Sequence, residues 1–491
     1  MTDPARGSAG GKGDKPTPAS NVGDTGLLAR SVISNWLWYG LVLVSGFVIP
    51  RLINRYQSRE ILGAWDFGWS VVIYIDMLSL GVAAALNRYV ARYREQGDWE
   101  ALNRAVNSAL AWLIVAFAIG VVMAVGFAAW TPFGTGEGSR EIALTGRRVL
   151  FTLSFAAALR MPFAAFNSVI TGYERFAALN VIRTSRDGVA LVLMIGLLVS
   201  GSGIVAMAIE LVANIAKVVV AGRICTPLRI SPRYCRAASM KEMLVFGGKT
   251  VLQDFSRGGI YQASSQMVFF FLGPATLAVY QRQRALVMHA MRFVKQYAQV
   301  FTPTSSVLHA RGDRAALQTL LVQTSKYGLY VALPIMLVLL TMGDPLLEMW
   351  MGPGFAAPTV LAILAAGHVM SVAQLGAYSV LTGMAKHGRA ALCEFIAAVV
   401  SIGLGLIILG PVGGGMIGAA IALTLPVAIV EGVVIPYLAC KAVGLSVVDY
   451  VRGFAPGPVL ASLPLILCLG LSRLLCANNP MLAFVAGVGG G

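Results

Sequence analysis

The sequence predicts an all-α polytopic membrane protein: two pseudo-symmetric six-helix lobes around a central cavity, plus one or two extra C-terminal helices. Three observations predict it. The chain is 57% hydrophobic and 12% charged, whereas a soluble domain carries roughly 25% charged residues. Its apolar residues come in runs long enough to cross a bilayer, which takes about 20 residues per helix. Two short motifs also recur, in the same order, about half a chain apart.

The apolar runs predict helices over 30–53, 64–90, 105–130, 147–172, 184–200, 204–222, 243–272, 275–302, 326–347, 357–383, 390–410, 414–440 and 456–476. Residues 481–491 are apolar but too short to span, unless they begin a fourteenth helix. Barrel strands would instead alternate apolar and polar residues over short segments. Residues 1–26 are rich in Gly, Pro, Ser, Asp and Lys and hold no apolar run. They predict a disordered cytoplasmic tail and no cleaved signal peptide, so the first helix acts as the insertion signal.

The formal net charge is +16. In a soluble chain that would point to nucleic acid; here its distribution sets topology and predicts no nucleic-acid partner. One side of the membrane receives most of the Lys and Arg in short connections, including Arg88–Arg104 and the basic stretch 223–242. By the positive-inside rule that side, with the N-terminus, is cytoplasmic.

The repeat divides the chain. Tyr93–Leu102 reads YREQGDWEAL and Leu308–Leu317 reads LHARGDRAAL, 215 residues apart. Val169–Gly172 (VITG) and Val380–Gly383 (VLTG) lie 211 apart. The expected organisation is an N-lobe over 27–222, a basic linker over 223–242, a C-lobe over 243–440 and a C-terminal region over 441–491. Both lobes start on the same side, a parallel repeat with its axis along the membrane normal.

Thirty of the 38 Lys and Arg are assigned to connections and helix ends, Arg183 and Arg186 among them, which leaves eight inside the helices: Arg160, Lys217, Lys249, Arg257, Arg282, Arg284, Arg292 and Lys295. Each costs about 2.5–3.5 kcal/mol at a bilayer centre on insertion scales. Lys217 lies near a helix end and is expected to snorkel. In 275–302, Gln281, Arg284, Met288, Arg292, Lys295 and Gln299 share one helical face, with Arg282, His289 and Gln296 beside it. Such a face lines water or meets acidic groups. Cations outnumber the helical acids Asp66, Asp76, Glu210, Asp254, Glu394 and Glu431, so an anionic partner is expected. Phosphate suits it, because Arg offers paired donors and Lys a point charge. The alternative for Arg282, Arg284 and Lys295 is that they reach lipid headgroups from the helix ends.

Other signals exclude. Gly248-Lys249-Thr250 is no phosphate-binding loop, since Met243 stands where a glycine is needed. The histidines His289, His309, His368 and His387 lack ligand spacing. The six cysteines, Cys225, Cys235, Cys393, Cys440, Cys468 and Cys476, form no CxxC pair. No metal, cofactor or catalytic nucleophile is expected. Asn35, Trp36, Trp38 and Tyr39 read as packing residues.

Several stretches carry a resemblance: IPRLI (Ile49–Ile53), LGAWDFGWS (Leu62–Ser70), LGVAAALNRYVARY (Leu80–Tyr93), LGPATLAVY (Leu272–Tyr280), DPLLEMWMGPGF (Asp344–Phe355) and VLTGMAKHG (Val380–Gly388). The chain resembles the polysaccharide and O-antigen flippases of the multidrug/oligosaccharidyl-lipid/polysaccharide exporter superfamily. The resemblance implies two lobes in a V and a carrier, not an enzyme, in a bacterial inner membrane. It implies transfer of an undecaprenyl-pyrophosphate-linked oligosaccharide to the periplasmic leaflet, with membrane lipids, a polysaccharide polymerase and export machinery as partners. Lipid II flippases are similar in fold and carry extra helices after the twelfth. Their cavity arginines would correspond to Arg51, Arg88 and Arg257.

The expected substrate-binding residues are thus Arg292, Lys295, Arg284, Arg282, Arg257, Lys249, Arg160 and Arg88. Asp76, Asp254, Glu394 and Glu431 are the expected ion-coupling residues. A lipid II flippase is one alternative. A membrane polymerase or ligase is another, disfavoured because the outer loops are short, 131–146 being the longest.

Overall fold

The computed structural model describes residues 25–79, 81–133, 139–200, 203–225, 227–299 and 301–475. No strand occurs among them. The first part of the chain holds α1 (Thr25–Tyr56), α2 (Arg59–Met77), α3 (Val82–Gln96), α4 (Trp99–Trp130), α5 (Ser139–Arg160), α6 (Ala164–Gly172), α7 (Phe176–Ser200) and α8 (Gly203–Ile224). A short 3-10 turn, Pro232–Tyr234, follows. Then come α9 (Ala237–Leu272), α10 (Pro274–Gln299), α11 (Phe301–Ala310), α12 (Arg314–Met351), α13 (Pro358–Ala373), α14 (Leu375–Gly383), α15 (Gly388–Leu409) and α16 (Gly415–Ile429). A π-helical segment, Val430–Val434, leads to α17 (Ile435–Val443), α18 (Val447–Phe454) and α19 (Pro456–Leu475). Pro436 lies just past the π segment; its missing N–H breaks the regular ladder there.

The internal repeat is written in the backbone. Gly97 ends α3 at φ 67°, and Asp98 caps α4 by accepting from the Ala101 N–H at 2.9 Å. Gly312 follows α11 at φ 70°, and Asp313 caps α12 by accepting from Ala316 N–H at 2.9 Å. A left-handed glycine followed by a carboxylate cap turns the chain between two helices in each case. The second motif repeats as closely. Glu174 and Ala385, two residues beyond the VITG and VLTG segments, hold φ 59° and 57°. Their N–H groups donate to Thr171 and Thr382 carbonyls at 2.8 and 3.0 Å.

Apolar spans predicted as continuous are broken, two of them in the first lobe. The run 64–90 divides into α2 and α3 with a bend of 46°, and the indole of Trp112 donates to the freed Leu78 carbonyl at 3.2 Å. The run 147–172 divides between α5 and α6. Seven helices among the described residues are long and apolar enough to cross a membrane, or eight if the bent α2–α3 pair is one span. The sequence reading gave thirteen; α10 drops out of that set because Arg282, Arg284, Arg292 and Lys295 interrupt its apolar length. The expected tail, 1–26, lies outside the described residues up to 24, its last two residues opening α1, and the terminal stub, 481–491, lies wholly outside them. Outward faces stay apolar, as with Val122 on α4 at 71% exposure. Such a surface is unstable in water and natural in lipid.

The core shows how the two lobes meet. At one end a single cluster joins both: Phe67, Val71 and Ile75 of α2 pack with Phe269 of α9 and Tyr280 of α10. Phe67 stacks on Phe269 with ring centroids 4.2 Å apart. At the other end two separate clusters replace it. One gathers Leu86, Val90, Leu102 and Ile170; the other gathers Leu321, Val380, Ile435 and Tyr450. The lobes are fused through one cluster at the first end and hold two clusters at the second, where Met243 of α9 joins the first lobe's.

The C-terminal helices brace the second lobe. Tyr450 of α18 is fully buried; its hydroxyl donates to Gln374 Oε1, at the break between α13 and α14, and lies 2.6 Å from Ser325 Oγ. Tyr450→Phe keeps the ring and strips the donor. It is expected to cost about 1–2 kcal/mol, the penalty of an unsatisfied buried acceptor, read as a lower midpoint of thermal unfolding in detergent.

Candidate functional site

The fused end is closed by contacts between residues far apart in sequence. Asp66 of α2 and Arg282 of α10 are 8% and 5% exposed and form an ion pair across the lobes. Arg282 also lies over the Trp350 ring, 5.7 Å from its centroid. The Gln283 amide donates to the Phe355 carbonyl at 2.5 Å. Arg51 of α1 donates to the carbonyls of Met349 and Trp350, and the Trp350 indole donates back to the Phe47 carbonyl at 2.7 Å. Phe47 stacks on His289, centroids 4.9 Å apart.

A glycine makes this approach possible. A Cβ at Gly63 would stand 1.9 Å from the Pro274 carbonyl oxygen. Helices α2 and α10 therefore touch backbone to backbone beside the ion pair. Removing one member of a buried pair costs about 3–5 kcal/mol, because the other charge is stranded. Asp66–Arg282 ties α2 to α10 at the fused end.

Along α10 the cations divide by environment. Arg284 is half-buried and donates to Ser264 Oγ of α9 at 2.5 Å, while the Gln281 amide donates to Ser265 Oγ at 2.7 Å. Arg292 and Lys295 are exposed. Arg292 lies about 12 Å further along the helix than Arg284, at 1.5 Å per residue, away from the Asp66–Arg282 pair. The helix face anticipated from spacing is thus half consumed in packing and half open.

The other expected residues sit as follows. Arg160 and Asp76, assigned to binding and to coupling, form an ion pair at 3.5 Å between α5 and α2. Arg88 is exposed on α3, next to Tyr89, whose hydroxyl donates to Glu242 at 2.7 Å. Glu394 of α15 is 9% exposed. Glu431 lies in the π-helical segment. The side chains of Lys249, Asp254 and Arg257 lie outside the described residues. No group of three or more potential metal ligands occurs among the described residues.

Two readings need revision. Lys217 does not snorkel; it is 4% exposed and its ammonium donates to Asn214 Oδ1 at 2.9 Å, a partner one turn back on α8. Arg183 and Arg186, read as loop residues, lie inside α7, where Asp187 pairs with Arg186 at 2.7 Å and accepts from the Trp38 indole at 2.9 Å. Trp38 is a packing residue with a polar handle. Sequence reasoning gave Asp66 no special role. Its one signal was a carboxylate set within the apolar stretch LGAWDFGWS.

Comparison with known proteins gives no match among curated sequences. The family described as "Polysaccharide biosynthesis protein" matches residues 113–358. Three solved structures share the fold. An inward-facing multidrug resistance MATE family transporter aligns at TM-score 0.67 and 15% identity, covering 85% of this chain and 99% of its own. The lipid II flippase MurJ in an inward closed conformation aligns at 0.66 and 13% identity, covering 94% and 97%. An outward-facing MATE transporter aligns at 0.57 and 15% identity, covering 85% and 95%. The two-lobed helical fold is therefore that of the MATE and MurJ transporters, and the chain itself belongs to the polysaccharide biosynthesis protein family.

Proposed function

We propose that this protein moves a polyprenyl-pyrophosphate-linked oligosaccharide from the cytoplasmic to the periplasmic leaflet by alternating access. The observation that carries the reading is the division of α10. Arg282 latches the closed end to Asp66, while Arg292 and Lys295 stand exposed further along the same helix. An exposed pair of cations one turn apart suits a pyrophosphate, and the family's description names polysaccharide biosynthesis. The end opposite the Asp66–Arg282 pair carries the excess Lys and Arg, which supports placing it on the cytoplasmic side. The higher TM-score with the inward-facing MATE structure than with the outward-facing one supports the same orientation. The latch would break as the lobes rock, and the sugar would cross in the hydrated space with its lipid tail left in the bilayer. Asp76, Asp254, Glu394 and Glu431 are the proposed coupling acids, joined now by Asp66.

The test is transfer of a fluorescent undecaprenyl-pyrophosphate oligosaccharide in proteoliposomes. The wild type transfers it and Arg292→Gln/Lys295→Gln loses about tenfold or more, as expected for two charge-assisted contacts. Equal transfer by both would remove these cations from the mechanism.

Lipid II is the second reading. The MurJ structure covers more of this chain than the MATE structures do, and α18 and α19 extend the C-terminal part in the way expected of lipid II flippases. Faster transfer of lipid II than of the oligosaccharide would favour it.

A further inference from the structure

The basic linker is a built surface rather than a loose loop. Asn103, Asn107 and Ser108, all buried on the first turns of α4, hold it by side-chain hydrogen bonds to its backbone. Asn103 donates to the Pro227 carbonyl at 2.9 Å and accepts from Arg229 N–H at 2.6 Å. Asn107 donates to the Arg229 carbonyl at 2.8 Å and accepts from Ser231 N–H at 2.9 Å. Ser108 accepts from Arg236 N–H at 2.9 Å. The spacing explains the fit. Four residues of helix rise about 6 Å and two residues of extended chain about 6.6 Å. An asparagine every fourth position therefore meets every second linker residue.

This ladder fixes three arginines around a cavity of about 550 Å³ lined by Arg104, Arg229, Arg233, Arg236, Glu100 and Tyr234. Glu100 is committed to Arg104 at 2.6 Å. Among the described residues Arg229, Arg233 and Arg236 have no ion pair. Like charges held together on a pinned backbone repel until an anion joins them. Guanidinium groups match phosphate oxygens in geometry as well as charge.

We propose that this linker cavity binds a phosphate or diphosphate group at the face of the protein that carries the basic loops. The two sources with this chemistry are a phospholipid headgroup of the adjoining leaflet and a diphosphate presented from the water side. The site stands apart from Arg292 and Lys295 and does not require the transport reading.

The test uses inorganic pyrophosphate as probe on the purified full chain in phosphatidylcholine nanodiscs. Saturable binding is expected, weakened about tenfold or more in Arg229→Gln/Arg233→Gln, which loses two charge-assisted contacts. Arg292→Gln/Lys295→Gln should bind as the wild type does, and Arg229→Lys/Arg233→Lys should recover part of the loss while showing that the linker folds. In nanodiscs containing phosphatidylglycerol, loss of pyrophosphate binding assigns the site to headgroups; retained binding assigns it to a water-side diphosphate. No saturable binding by the wild type, or equal binding by the linker variant, overturns the proposal. So does weakening by the α10 pair instead of the linker pair.

Discussion

Asp66→Leu is expected to open the closed end of the protein by about two to four orders of magnitude in equilibrium, because stranding a buried charge costs about 3–5 kcal/mol. Arg282 loses its carboxylate and keeps its charge in a site that is 5% exposed. The stacked aromatics around it cannot replace the partner. The state that suffers is the one in which α2 and α10 touch, so the balance moves toward separation. The readout is a cysteine at Ala278, fully buried beside the seal, in a background lacking the native cysteines. A membrane-impermeant maleimide should label it slowly in the wild-type context and at least about a hundredfold faster with Asp66→Leu. The double variant Asp66→Leu/Arg282→Met should return to slow labelling, since apolar replacement of both partners is close to neutral. If the double variant labels as fast as the single one, the pair is not a latch.

Gly63→Ala is expected to be the most damaging single-methyl addition at the seal. The added carbon would lie 1.9 Å from the Pro274 carbonyl oxygen, against an ordinary contact of about 3.5 Å or more. Pro274 is the first residue of α10 and its backbone cannot swing aside. The two helices must separate, and Phe67 then leaves Phe269 while Asp66 leaves Arg282. Overpacking of this kind costs about 1–3 kcal/mol before those losses are counted. Transfer of the lipid-linked oligosaccharide should fall about tenfold or more, and the Ala278 cysteine should label fast. Gly126→Ala on α4, with nothing within 4 Å of the new carbon, is the control and should behave as wild type. Equal transfer by the two alanine variants would sink the argument.

What the sequence made legible followed from local chemistry. Gly97-Asp98 and Gly312-Asp313 could be matched by eye because a left-handed turn and a helix cap need those residue types. The apolar runs declared the membrane class for a similar reason. What stayed hidden was set by distant partners. The break between α2 and α3 is marked locally by Gly81 alone, at φ 67°, and the Leu78 carbonyl freed there is met by the distant Trp112. The cationic face of α10 was visible as a face. Its division was not, because Asp66 lies 216 positions from Arg282 and the serines that hold Arg284 belong to α9. Asn103 and Asn107 carried only their four-residue spacing as a hint that the basic linker lies along α4.

The latch also has a mate that is not a latch. Shifting each partner by the 215-residue repeat turns Asp66 into Gln281 and Arg282 into Phe67. The mirror positions hold an amide and a phenyl ring. A chain assembled from two copies of the first half would place Asp66 opposite Phe67, and one from two copies of the second would place Gln281 opposite Arg282. Neither hybrid could close on an ion pair. The repeat thus supplies the shape twice, while the ion pair is written once, acid on one half and base on the other, so that neither half can serve in the other's place.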